Sequence, residues 1–170
     1  MYTADELITK AKEAISETII NQGSVPSTLF VQTLEGVAVS DNPPIHNPNF
    51  CYMLSDLLHI LRVDVYMFTL ENWRICTKDT NPLLTKLPKL PLHPKLEDIP
   101  LDDRTRSVVI IAHQKGFYAR LTSADIINTP SGWKLGNWTE SMKITDTNFP
   151  LAKWKVYEKP DEKLNEKPQE

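Results

Sequence analysis

Cys51 follows His46 by five residues and opens the helix-like run CYMLSDLLHILRV. A helix N-terminus lowers a thiol pKa, and a nearby imidazole can take the proton, so this spacing suits a nucleophile and its base. The surrounding NPPIHNPNFCY carries none of the local signatures of catalytic cysteines, and a small half-buried Cys beneath a loop accounts for it equally well. The four histidines (46, 59, 93 and 113) share no metal-ligand spacing, with no His-x-x-x-His and no Cys-x-x-Cys. Five dispersed glycines build neither GxxxxGK nor GxGxxG, the loops that cradle phosphates. The expectation is no cofactor, no metal and no catalytic residue, with an unconventional Cys51–His46 enzyme as the alternative.

Two other stretches have the chemistry of binding. VYMFTLENWRI, residues 65–75, reads as a strand that is apolar on both faces and ends in Glu71-Asn72-Trp73-Arg74. Alternation puts Glu71 and Trp73 on one side of its end and Asn72 and Arg74 on the other. Trp and Arg are favoured anchors at interfaces, so the strand end reads as a partner rim. The plainer reading has the Trp packed over the sheet end and the Glu satisfying a loop backbone. GWKLGNW, residues 132–138, sets Trp133 and Trp138 around Lys134 on a bendable stretch. Those indoles either face a partner or pin a loop to the sheet. The candidate partner-binding set is therefore Glu71, Trp73, Arg74, Trp133, Lys134 and Trp138.

The elements that must hold these residues follow from periodicity. Residues 4–21 form an amphipathic helix, with Thr3 and Glu6 as a capping box and Gly23 and Pro26 ending it. STLFVQTLEGVAVS, 27–40, reads as a hairpin, and the Pro- and Asn-rich 41–50 as an ordered loop. Residues 51–62 form a second helix with Met53, Leu54, Leu57, Leu58 and Leu61 as its stripe. Val63, Val65 and Met67 then face one way and Tyr66, Phe68 and Leu70 the other. Such a strand belongs mid-sheet, covered on both faces. SVVIIAH, 107–113, and FYARLTS, 117–123, form a late hairpin about a Gln114-Lys115-Gly116 turn. MKITD reads as a short strand and LAKWKVYE, 151–158, as an edge strand. Together these predict an α+β domain over 1–157, a mostly antiparallel sheet of about five strands covered by two helices.

Thirteen prolines against five glycines imply stiff connections. The Pro-rich connector 82–100 holds LPKLPLHP, whose overlapping P-x-x-P steps favour polyproline II and whose leucines suit an apolar surface. The tail DEKLNEKPQE, within 158–170, has the composition of a disordered segment.

The net charge of −3 is unevenly placed. Residues 1–58 carry seven acids and two lysines, a net of −5, and 59–157 carry fourteen bases and ten acids, a net of +4. Scattered basic residues argue against nucleic acid. The N-terminus lacks a signal peptide's basic start and apolar centre, and no run reaches a membrane span, so a cytoplasmic protein with no membrane contact is expected. Two cysteines suit a reducing compartment.

The order LFVQTLEGVAV, helix, strand ending Glu71-Asn72-Trp73, Pro-rich link and RSVVIIAHQKGFYARL resembles a loose group of uncharacterised bacterial and prophage proteins. These share an "LF..T..G" hairpin, a helix, a strand ending in a Glu-x-Trp-like step and a late hairpin. The resemblance spans about residues 28–122, and here Arg74 follows the Trp. It implies a mobile-element or accessory protein and carries no activity. The resulting expectation is a non-catalytic protein that binds another protein in an immunity, inhibitor or phage-accessory role; a homo-oligomer joined through an edge strand is a further alternative.

Overall fold

Thr3 starts the first helix, as its sequence requires. In the computed structural model its hydroxyl accepts from the Glu6 N–H, and the Glu6 carboxylate accepts from the Thr3 N–H at 2.8 Å. The Thr3 N–H, and after it the Thr3 hydroxyl, donate to the Glu6 carboxylate and hold it below its ordinary pKa. The structure describes residues 1–44, 48–75 and 104–144. Helix α1, Ala4–Gln22, ends on Gly23 at φ 71°, whose N–H closes onto the Ile19 carbonyl.

The 27–40 hairpin is present as β1, Thr28–Gln32, and β2, Val37–Asp41. Helix α2 spans Pro48–Ile60, starting three residues before the expected Cys51. A proline at the first helical turn donates no N–H that the helix could use, so it is well placed there. Strand β3, Val65–Ile75, runs straight through Glu71-Asn72-Trp73-Arg74 and pairs to its last residue with β4, Arg104–Gln114. Strand β5, Arg120–Thr129, completes the late hairpin.

Two expectations for that region change. The return strand begins at Arg120 instead of residue 117, because Phe117 and Tyr118 stay exposed in the turn after Lys115. GWKL is not a loop but strand β6, Gly132–Leu135, paired with Ile126–Thr129. Strand β7, Met142–Lys143, lies within the expected MKITD strand and pairs with the start of β5. The sheet thus has seven strands in the order β2-β1-β3-β4-β5-β6, with β7 also on β5, and every pairing is antiparallel. The connector 82–100, the strand expected at 151–158 and the tail 158–170 lie outside the described residues.

Strand β3 is interior, and each of its faces has its own core. On one face Ala4, Ile8, Ala11, Ile15 and Ile19 of α1 pack on Val108, Ile110, Ala112, Ala124 and Ile126, with Met67 beside them. On the other, Leu54 and Leu58 of α2 pack with Tyr66, Phe68, Leu29 and Ile111. This double cover is why 65–70 is apolar on both faces, with Thr69 the one buried polar side chain in the run. Val63 joins the α2 side with Tyr66, against the expected alternation, because it lies in the turn before β3, where its N–H bonds to the Leu58 carbonyl.

Helix α1 is tied down at its start as well as along its stripe. Buried Gln32 exchanges hydrogen bonds with the Tyr2 backbone at 2.9 and 3.1 Å, and Gln114 accepts from the Ala4 N–H. Asp5 pairs with Arg120 at 2.6 Å.

Candidate functional site

Glu71 lies on the α1 face of β3, four residues past Met67, and its carboxylate is fully used. One oxygen accepts from the Val25 N–H at 2.6 Å, and the other meets Arg106 Nη2 at 2.6 Å. The cross-strand neighbour of Trp73 is Arg106, one diagonal step from Glu71. The Arg106 guanidinium also donates to the Gly23 carbonyl at 3.1 Å and lies 5.2 Å from the Trp133 ring centre. Trp133 in turn covers Gly23 so closely that a Cβ there would stand 2.5 Å from its Cδ1. Glu71, Arg106 and Trp133 therefore form a clasp that holds the C-terminal end of α1 and the segment after it against the sheet. Within the clasp both Glu71 carboxylate oxygens and the Arg106 Nη2 are engaged in hydrogen bonds.

Of the six expected contact residues, the fold brings Glu71 and Trp133 together through Arg106. Trp138 is half-buried against the α1 core, with Lys12 Nζ 5.3 Å from its ring centre. Lys134 is exposed on β6, opposite Ile127. Trp73 and Arg74 occupy β3 opposite Arg106 and Thr105 in the register; their side chains lie outside the description. A shallow groove of about 450 Å³ runs beside the clasp between Thr105, Arg106, Ile127 and Trp133.

Cys51 sits in the first turn of α2, and His46 falls outside the described residues. His113 is buried in the α2-side core. Its Nε2–H donates to the Phe117 carbonyl at 2.8 Å, which leaves Nδ1 to accept from the Tyr66 hydroxyl at 3.2 Å. Burial pushes this imidazole below its ordinary pKa, opposed less strongly by the bond to Phe117. It is a neutral, doubly bonded core histidine. No group of three or more His, Cys, Asp or Glu gathers in metal-binding geometry among the described residues.

The surface feature that periodicity did not mark is the free side of β2. All five residues of β2 are exposed, and among the described residues it is the outermost strand beyond β1. The bonds Thr33 N–H to Gly36 O and Asn42 N–H to Ser27 O fix the parity of the β1–β2 ladder. Ala38 and Ser40 therefore turn their backbone groups toward β1, and Val37, Val39 and Asp41 turn theirs outward. The opposite margin of the sheet is different. Residues 132–135 pair with the far end of β5, and Gly136 and Thr139 donate to Asp125 and Ser123. Met142–Lys143 then pair with the start of β5. That margin is lined along most of its length by the chain itself.

No known protein-family model matches this chain, and no curated protein or solved structure does so either. No helix among the described residues is long and apolar enough to cross a membrane.

Proposed function

We propose that this protein acts by binding another protein chain and not by catalysis, and that the docking strip is the open edge of β2. The observation that carries this reading is five consecutive exposed strand residues whose outward N–H and C=O groups have no partner among the described residues. Sheet edges are usually blunted by Lys, Pro or a bulge. Here Val37-Ala38-Val39-Ser40 contains none of these, and its register with β1 is unbroken. Such an edge accepts an extended strand by backbone hydrogen bonds, with alternate side chains giving selectivity.

The internal engagement of Glu71, Arg106 and Trp133 supports moving the docking strip away from the clasp and onto β2. Edge-strand docking is one way in which an immunity, inhibitor or mobile-element accessory protein could engage its partner. A photo-reactive phenylalanine analogue at Val39 should give one discrete covalent adduct in cells, whereas the same group at Lys134 should give none. The adduct should vanish when Val37 is also changed to Pro, which removes an outward N–H. Equal adducts from both positions, or none from Val39, would remove the reading.

A further inference from the structure

We propose that the strand received by β2 is β2 of a second copy of this chain, antiparallel and centred on Val39, so that two sheets join into one. The inference rests on the reading of β2 as a docking strip and adds the identity of its occupant. Only Val37, Val39 and Asp41 present outward backbone groups, and Val39 is the middle one. A two-fold axis through Val39 pairs Val39 with the partner's Val39 and Val37 with the partner's Asp41, so every outward N–H meets a carbonyl. A shift of that axis to Ala38 would set Glu35 against the partner's Asp41, two like charges face to face. The centred register keeps those acids apart and uses the full length of the strand.

The side chains agree with the backbone. Val37 and Val39 are 53% and 61% exposed, on the face that also carries Phe30 and Met67. Across the proposed axis the two pairs of valines form one apolar strip between the two α1 helices. At the start of β2 an open groove of about 450 Å³, walled by Tyr2, Leu34 and Val37, lies where the end of the partner's β2 would arrive. A two-fold pairing of β2 with β2 uses the β2 edge of both copies, so association through this edge closes at two copies instead of growing into a fibre. A five-residue strand pair is a small interface, so the dimer should form with a Kd on the order of 10–100 µM.

Sedimentation equilibrium over a concentration series provides the test. The unmodified chain should move from its 19.4 kDa monomer toward twice that mass. Val39→Lys alone and Val39→Glu alone should each stay monomeric, since each places two like charges across the axis. An equimolar mixture of the two should regain the doubled mass. Circular dichroism checks that the variants keep the fold. A monomer at every concentration up to about 1 mM overturns the proposal, whether or not the variants fold. So do single variants that dimerise like the parent, or a mixture that fails to regain mass. A Val39 adduct to a different protein, found with a strictly monomeric chain, overturns the self-pairing alone and leaves the docking strip standing. The absence of any adduct removes both.

Discussion

Gly23→Ala is the substitution whose cost can be worked most fully from the structure. Gly23 sits at φ 71°, where an L side chain loses about 1–2 kcal/mol against the carbonyl next to it. Its new Cβ would lie 2.5 Å from Trp133 Cδ1 and 2.8 Å from Cε2, distances at which the indole must move. Overpacking of that kind costs about 1–3 kcal/mol. The indole cannot move without loosening Arg106, which lies over its ring and is bonded to Glu71 and to the Gly23 carbonyl. The whole change should cost about 3 kcal/mol, and the melting temperature should fall by about 6–12 °C in a chain this long. Urea unfolding followed by circular dichroism, done in the parent and in a Trp133→Ala background, separates the two causes. With the indole gone, only the backbone strain of about 1–2 kcal/mol should remain. An equal loss in both backgrounds would refute the contact between Trp133 and the helix cap, and with it the clasp.

Three further outcomes follow from the same geometry. Glu71→Ala and Arg106→Ala should each destabilise the fold and couple by about 1 kcal/mol in a double-mutant cycle, at the modest end for a charged hydrogen bond because both side chains are about a quarter exposed; additive losses would contradict the pairing. The buried His113 resists protonation when folded and accepts a proton near pH 6.5 when unfolded, so its contribution is intact above that pH and declines as the pH falls below it; the urea midpoint should drop between pH 7.5 and 5, and His113→Gln should reduce that drop. Val39→Pro removes an outward N–H and should leave the fold intact, whereas Ala38→Pro removes a donor to β1 and should unravel the hairpin, as measured by circular dichroism.

Local chemistry in the chain specified its elements well and its long-range contacts poorly. Thr3 and Glu6, Gly23, the 27–40 hairpin and the two-sided 65–70 strand are governed by neighbours in sequence or by period, and the structure has each of them. Phe117 and Tyr118 look more strand-like than Ser123 and Asp125, yet the buried alternation of β5 runs through Thr122, Ala124 and Ile126. Glu71 could be read as a backbone tie, but its partner Arg106 lies 35 residues away and no local spacing links them. The seat of Trp133 on Gly23 is likewise a product of the folded arrangement. The exposure of β2 is a matter of strand order: VAVS has the same composition whether a strand lies beside it or not.

Residue-resolved amide exchange of β2 at two protein concentrations tests the central claim most directly. The account predicts that Ala38 and Ser40 are protected at both, while Val37, Val39 and Asp41 exchange freely in dilute solution and become protected as the chain is concentrated. If those three amides were already protected in dilute solution, or stayed unprotected at every concentration with no other protein bound there, the edge would not be the docking strip.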